Sequence, residues 1–254
     1  MSPSRRNRIH DVIVCDIDGC LCSEDGSALD LDALARIRRF NKQARDLRDR
    51  PALTLCSGRP IGFVEAMTRL IGNSTLPAVA EMGAYLYFPD TTRSELDPAI
   101  TPACLAGVAG LTAYFEQELR PRGVTMQPGK SASVTLWHER TALLRDEIMP
   151  LVVERCEAEG WPFRVSMSWF YINCDLAHIS KASGIERFKA HSGISGDRLV
   201  GIGDTSSDLA IREQVAYFCC PANAIDEVKA VADFVASRPE AEGVIEILEH
   251  LMSV

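Results

Sequence analysis

The chain has 254 residues, which is enough for one large domain or two smaller ones with a substantial hydrophobic core. It contains no run of about eighteen apolar residues, which excludes a membrane-spanning helix. The net charge of -8 disfavours a nucleic-acid partner, because binding to a phosphate backbone needs a basic face. The basic cluster Arg5, Arg6 and Arg8 is short and no apolar signal region follows it. We therefore expect a solvated tail on a cytoplasmic protein with no membrane partner.

The nine cysteines predict neither a disulfide framework nor a zinc site, because no Cys-x2-Cys pair recurs. Cys15, Cys56 and Cys174 lie in apolar runs. We expect buried thiols in a reducing compartment, with a redox-sensitive thiol at Cys20 or Cys22 as the alternative.

The first element is an apolar run over residues 12–15 that predicts a buried strand. Two carboxylates, Asp16 and Asp18, follow it, and Gly19 allows the backbone to turn away. In open α/β sheets ligands bind beyond the carboxyl ends of the strands, and a buried strand has no structural use for two carboxylates. This stretch therefore predicts a chemical site, with a calcium loop as the alternative.

The next elements repeat the order of strand and helix. A helix after the predicted N-cap Asp30 is followed by a buried strand over residues 52–56 and by a second helix that begins at Pro60. This order predicts a parallel sheet with right-handed crossovers. Ser57 lies where the strand ends, so it either holds an anion or only caps the helix.

The middle of the chain, residues 85–175, has a different pattern. Strand-like runs at 85–88, 133–137, 163–167 and 170–174 alternate with helical stretches at 102–119 and 141–159. Strands in pairs with intervening helices predict a separate α+β unit, joined by linkers at 89–92 and 175–180.

The last part returns to buried strands with polar ends. Lys181 begins a helix, where a lysine is either a solvated surface residue or has a function at a site. Asp204 and Asp208 follow a third buried strand over residues 199–203, and two carboxylates four residues apart suit a hard cation. Asp208 can alternatively be a simple helix-terminus residue. The third glycine of a dinucleotide-binding fingerprint is missing here.

Taken together, these motifs resemble those of the haloacid dehalogenase-like (HAD) superfamily, in the same order along the chain. The matching residues are Asp16-Ile17-Asp18-Gly19, Ser57, Lys181 and Gly203-Asp204 with Asp208. Further segments are similar to the Cof-like branch: Ser57-Gly58-Arg59, Glu81-Met82-Gly83-Ala84, Pro221-Ala222-Asn223-Ala224 and Glu242-Gly243-Val244. The resemblance implies an α/β fold: a Rossmann-like core with a central parallel sheet, residues 1–85 and 178–254, and an inserted α+β cap domain, residues 86–177.

The same resemblance implies a Mg²⁺-dependent phosphatase that works through an aspartyl-phosphate. Asp16 would be the nucleophile and Asp18 the general acid and base. Mg²⁺ would be held by Asp16, the main-chain carbonyl of Asp18, Asp204 and Asp208. The phosphoryl oxygens would be held by Ser57, Gly58, Arg59 and Lys181.

The implied substrate is a small phosphorylated metabolite, either a sugar phosphate or a phosphoglycerate derivative. Candidate contacts are Arg59, Lys130, Trp137 and His138. Cys20 stands where the family has Thr, a change that we expect to modulate the rate, and Met82 and Ser207 stand where the branch has Asn. A phosphosugar mutase and a non-catalytic phospho-ligand sensor remain alternatives, and the sequence predicts no oligomeric state.

Overall fold

The computed structural model describes residues 9–168 and 170–253. The basic cluster Arg5, Arg6 and Arg8, which we predicted to be a solvated tail, lies outside the described residues. Among the helices within them, none is long and apolar enough to cross a membrane.

The strands are short and are spread over the whole chain. They are β1 Val12–Cys15, β2 Ala52–Leu55, β3 Ala78–Ala80, β4 Tyr85–Phe88, β5 Arg93–Leu96, β6 Thr125–Met126, β7 Ser133–Trp137, β8 Phe163–Ser168, β9 Tyr171–Leu176, β10 Leu199–Ile202, β11 Tyr217–Cys220 and β12 Phe234–Val235.

The helices alternate with these strands. They are α1 Leu31–Leu47, α2 Ile61–Leu70, α3 Pro102–Tyr114, α4 Thr141–Leu143, α5 Met149–Glu159, α6 Lys181–Ser192, α7 Leu209–Arg212, α8 Asp226–Lys229 and α9 Glu240–Leu251. A π-helical turn, Phe115–Leu119, extends α3, and another, Leu144–Ile148, joins α4 to α5. The two helical stretches predicted for the middle of the chain are confirmed.

A parallel five-stranded sheet in the order β12-β11-β10-β1-β2 forms the core. On β1, Ile13 and Cys15 point into one hydrophobic cluster, whereas Val12 and Val14 point into the other. Each face of the sheet is therefore covered by apolar side chains, which is why its strands are mostly apolar. The predicted α/β fold with a central parallel sheet is confirmed.

Strands β3, β4 and β5 form a small antiparallel sheet beside the core. An isolated parallel bridge pairs Cys56 with Val79, and Ser57 N donates to the Val79 carbonyl at 3.0 Å. Strand β3 therefore lies beside the carboxyl end of β2. We predicted the strand over residues 85–88 but grouped it with the middle unit, whereas it pairs with β3 and β5. The domain boundaries at 85/86 and 177/178 remain a prediction.

The second large sheet, which we call the cap sheet, is antiparallel with the order β6-β7-β9-β8. Its apolar side chains, such as Val134 and Ile172, pack in one cluster with Leu111 of α3 and Val152 of α5. Successive side chains of a strand point to opposite faces, so the intervening polar residues point to the other face. That polar face borders the cavity described below.

Candidate active site

The strand ends that carry the predicted motifs meet at one edge of the core sheet. Strand β1 pairs in register with β2 and β10, so Cys15 lies opposite Leu55 and Ile202. Because all three strands run in parallel, the residues that follow them emerge side by side. This pairing brings Asp16, Ser57 and Asp204 together at the carboxyl edge of the core sheet.

Lys181 lies between the carboxylates of Asp16 and Asp208 at this edge of the sheet. Its Nζ lies 2.8 Å from Asp16 Oδ2 and 2.6 Å from Asp208 Oδ1, and the residue is only 2% exposed. It is the first residue of α6, where Ser180 caps the helix by accepting from Ser183 N. Although burial opposes the ammonium, Asp16 and Asp208 raise the pKa of Lys181 well above its usual value. The alternative of a solvated surface lysine is therefore wrong.

Three buried carboxylates converge beside Lys181. One oxygen from each of Asp16, Asp204 and Asp208 lies within 4.8 Å of the others. Burial raises the pKa of Asp204 to about 9, and the neighbouring carboxylates of Asp208 and Asp16 add to the effect. Burial also raises the pKa of Asp16 to about 7, against the attraction of Lys181. One ammonium thus faces three carboxyl groups, which is too little positive charge for all three to be ionised near neutral pH.

The arrangement fits a hard divalent cation. Asp16 Oδ1 is buried and has no hydrogen-bond partner among the described residues. Buried acceptors of this kind are satisfied by an ordered group, and carboxylate oxygens are the ligands that Mg²⁺ prefers. Asp208 differs, because its Oδ1 contacts Lys181 and its Oδ2 accepts from the amides of Asp204, at 2.9 Å, and Thr205, at 3.0 Å. Asp208 therefore accepts from backbone amides at the start of its helix through Oδ2 only, and its Oδ1 belongs to the charged cluster.

Gly19 is required by the same geometry. Its φ is 69°, in the left-handed region, and a Cβ built there would overlap the Asp204 carboxylate. The glycine of the first motif thus lets the loop after β1 pass close to the carboxylate delivered by β10.

The segment after β2 carries Ser57, Gly58 and Arg59, the residues predicted to hold the phosphoryl oxygens. Ser57 is fully buried, and its Oγ accepts from Arg59 N at 3.2 Å. The N-cap of α2 is Pro60, so Ser57 does not cap the helix. Gly58 and Arg59 line the cavity, whereas Ser57 is not among the lining residues. Arg59, predicted to hold phosphate, forms an ion pair with Asp18.

A cavity of about 600 Å³ lies between these residues and the polar face of the cap sheet. The core contributes Asp16, Asp18, Arg59 and Lys181 to its wall. Of the predicted substrate contacts in the middle unit, Lys130 lines the cavity. Trp137 and His138 are not among the described residues that line it, and the His138 ring lies against Gly123.

Known proteins share this architecture. A family model of haloacid dehalogenase-like hydrolases matches residues 146–248. A phosphoglycolate phosphatase of Methanospirillum hungatei JF-1 is 31% identical over 237 residues, which cover 93% of this chain and 94% of that protein. This chain belongs to the haloacid dehalogenase-like hydrolases. The family predicted from the sequence is confirmed, and so is its assignment as an enzyme.

Relatives of lower sequence identity also match this HAD-like hydrolase along nearly its whole length. A phosphoglycolate phosphatase of Sulfolobus acidocaldarius is 22% identical, over 95% of this chain and 96% of that protein. The crystal structure of Thermoplasma acidophilum 0175 superposes with a TM-score of 0.72 at 20% identity, over 97% of this chain and 100% of that chain. The sucrose-phosphatase of Synechocystis sp. PCC6803, solved with sucrose and phosphate, gives 0.66 at 16% identity, over 95% and 98%. These two structures show the shared fold.

Cys20, which replaces Thr in this HAD-like hydrolase, contacts a predicted metal ligand. Its Sγ donates to Asp204 Oδ1 at 3.9 Å, and the residue is fully buried. Burial raises the pKa of the Cys20 thiol well above its usual value and that of Cys22 to about 12. Neither is therefore activated as a thiolate, and the redox alternative is not supported. The nine cysteines are free and buried, as expected.

Several residues that line the cavity were missed by the sequence analysis. Glu24 follows the first motif; burial and the nearby Asp18 raise its pKa to about 7, and its Oε2 has no hydrogen-bond partner within the described residues. The cap sheet adds a larger set: Thr135, Arg164, Ser166, Ser168, Tyr171, Asn173 and Asp175. The alternation of polar and apolar residues along β7, β8 and β9 was the signal that could have found this set.

Proposed function

We propose that this HAD-like hydrolase is a Mg²⁺-dependent phosphatase of a small phosphorylated metabolite, of the sugar phosphate or phosphoglycerate type. The observation that carries the proposal is the convergence of one oxygen each of Asp16, Asp204 and Asp208 within 4.8 Å of one another, with Lys181 paired to Asp16. One Asp16 oxygen has no hydrogen-bond partner in the part of the chain that the structure describes. Relatives named phosphoglycolate phosphatase, matched along nearly their whole length, support the same class of reaction.

Asp16 is the proposed nucleophile. A carboxylate oxygen of Asp16 bonds to phosphorus while the ester bond to the leaving oxygen breaks, and Asp18 gives a proton to that oxygen. Water then attacks the phosphorus of the aspartyl-phosphate, the bond to Asp16 breaks, and Asp18 takes the proton of the water. Inorganic phosphate leaves, and both carboxylates return to their starting states.

The other residues would position and neutralise charge. Lys181 holds Asp16 and Asp208 in place and would attract the phosphoryl oxygens, which an acidic site otherwise repels. Mg²⁺ would be held by the carboxylates of Asp16 and Asp204 and by the Asp18 carbonyl, and when bound it would neutralise charge that develops on the phosphoryl group. Both Asp208 oxygens are already engaged, so we assign it to orienting Lys181 and the loop at Asp204.

The test is phosphate release from a panel of monoesters, including p-nitrophenyl phosphate, phosphoglycolate and sugar phosphates, with Mg²⁺ and with a chelator. We expect release that requires the metal and falls by at least about 1,000-fold in Asp16→Asn. Borohydride added during turnover should convert residue 16 to homoserine, detected by mass spectrometry.

The matched control is Asp146→Asn, a carboxylate change at an exposed position of the turn before α5. It should keep full activity. Full activity of Asp16→Asn, or release of phosphate that is unaffected by the chelator, would show that the proposed reaction is wrong.

A further inference from the structure

One face of the cap sheet is polar and borders the cavity. Strand β9 pairs with β7 and β8 so that Asn173 lies opposite Thr135 and Ser166, and Asp175 lies opposite Ser133 and Arg164. Residues two apart on a strand share a face, so these side chains form one polar surface opposite the phosphate-binding edge of the core. The proposed function assigns no task to this surface.

A directed chain of hydrogen bonds crosses the polar face. Lys130 Nζ donates to Thr135 Oγ1 at 2.6 Å, and Thr135 Oγ1 donates to Asn173 Oδ1 at 3.1 Å. Asn173 Nδ2 donates in turn to Ser168 Oγ at 2.9 Å. This chain of hydrogen bonds holds each of these side chains in one orientation. It also uses only one of the three protons of the Lys130 ammonium, so donors remain for a ligand.

Asp175 is the matching acceptor. It is 3% exposed, it lines the cavity, and its Oδ1 has no hydrogen-bond partner within the described residues. Burial raises the pKa of Asp175 and lowers that of Lys130, and in each case the charge of the other residue opposes the effect. They attract each other, yet no carboxylate oxygen of a described residue lies within 4.0 Å of Lys130 Nζ. A half-buried donor and a buried acceptor therefore line the same cavity without being paired to each other.

We propose that hydroxyl groups of the substrate bond to Lys130 and Asp175 in the cavity, so that this enzyme prefers hydroxylated phosphate monoesters to phosphoglycolate. The inference rests on the proposed phosphatase function and adds the substrate class. A hydroxyl accepts from an ammonium and donates to a carboxylate at the same time. The carboxylate of phosphoglycolate has no proton to donate and would face the negative charge of Asp175. An alkyl group would leave Asp175 Oδ1 without a donor and would give Lys130 no acceptor besides Thr135.

The test compares substrates that differ in their hydroxyl groups alone. We expect kcat/KM for glycerol phosphate to exceed that for propyl phosphate by about 10- to 100-fold, because a site built to bond a hydroxyl rejects the analogue that lacks it. Phosphoglycolate should be the poorer substrate as well. In Asp175→Asn and in Lys130→Met the ratio of kcat/KM for glycerol phosphate to kcat/KM for propyl phosphate should fall towards one.

Each other outcome has a separate meaning. Hydrolysis of no monoester, p-nitrophenyl phosphate included, would overturn the phosphatase function itself. Hydrolysis of p-nitrophenyl phosphate with propyl phosphate or phosphoglycolate equal to or better than glycerol phosphate would overturn the hydroxyl inference alone, and this comparison needs no variant. Equal losses for all substrates in Asp175→Asn would show a merely structural role. Glu157→Gln, an exposed change on α5, is the control and should leave every ratio unchanged.

Discussion

The Nε of Arg59 donates to both carboxylate oxygens of Asp18, at 3.0 Å to Oδ1 and 2.8 Å to Oδ2. Its Nη2 also contacts Asp18, and its guanidinium lies over the ring of Phe63, 5.1 Å from the ring centroid. The hydrogen bonds from Arg59 to the Asp18 carboxylate raise the pKa of Arg59 above its usual value, so the guanidinium stays protonated. Arg59 therefore fixes the direction of the carboxylate that we assign to proton transfer.

Asp18→Asn should reveal that role through its dependence on the leaving group. Removing the proton donor should slow release of the alcohol from alkyl phosphates by about 100- to 10,000-fold. The loss in this first step should be much smaller for p-nitrophenyl phosphate, because a nitrophenolate leaves without being protonated. Single-turnover release of the leaving group measures this difference apart from the hydrolysis of the aspartyl-phosphate, which is common to both substrates. Equal losses with both would contradict the acid role. Arg59→Lys, which keeps the charge without the bidentate contact, should give an intermediate loss.

The metal-free protein should lose stability as the pH rises. The pKa of Asp204 is raised to about 9 in the folded state, against an ordinary value of 3.8, mainly because of burial. Between those values the folded state binds more protons than the unfolded state, so the free energy of unfolding falls from about pH 4 to about pH 9. Thermal unfolding with a chelator should show this fall, and Mg²⁺ should reverse it because it takes the place of the protons.

Asp204→Asn is the companion variant for that measurement. Without the metal it should raise the melting temperature near pH 8 by about 2–4 °C, which corresponds to about 1 kcal/mol in a chain of this size. It should also abolish stabilisation by Mg²⁺. A variant that Mg²⁺ stabilises as strongly as the parent would show that Asp204 is not a ligand.

Cys20→Thr should improve the enzyme. A hydroxyl is a stronger donor than a thiol, and this one would be placed near Asp204 Oδ1, which Cys20 Sγ approaches at 3.9 Å. We expect kcat/KM at limiting Mg²⁺ to rise by about 3- to 10-fold, the equivalent of one better hydrogen bond. Cys20→Val, which has the shape of Thr without the hydroxyl, is the control and should show no gain. A gain in both variants would point to packing instead.

Glu81→Gln should destabilise the junction between the core and the cap sheet. Glu81 Oε2 accepts from the amides of Ser131, at 3.0 Å, and Ala132, at 2.9 Å, and the residue is 1% exposed. Replacing the carboxylate removes two charge-assisted hydrogen bonds, and we expect a loss of about 1–3 kcal/mol in urea unfolding with an unchanged slope. The exposed Glu118→Gln should change stability by less than about 0.5 kcal/mol, and a similar value for both would refute the assignment.

The core and its carboxylate cluster could be predicted because their signals are local. Strands β1 and β10 are continuous apolar runs, β2 is interrupted only by Thr54, and a polar residue follows each strand within two positions. Parallel pairing then places Asp16 and Asp204 at one edge, whatever the exact register. The same strategy recognised the helix that begins at Lys181, although it could not show that this lysine is buried.

The contacts that join distant segments could not be predicted. The pairing of Arg59 with Asp18 depends on how two loops approach each other, and no sequence pattern encodes that distance. The strand over residues 85–88 was recognised, but its partners β3 and β5 were not, since short strands specify pairing weakly. Lys130 and Asp175 line the same cavity because Lys130 bonds to Thr135 on β7 and β7 pairs with β9, and no sequence pattern gives that register.

The alternation of β7 and β9 limits the ways in which substrate preference can diverge among descendants of this enzyme. Adding or deleting one residue within either strand would turn Val134 or Ile172 towards the cavity and expose the helices to polar groups, with loss of folding. Exchange of side chains at every second position changes the cavity wall and leaves the packing intact. New substrate specificities can therefore arise by point substitutions at these positions. They cannot arise by changes in the length of either strand.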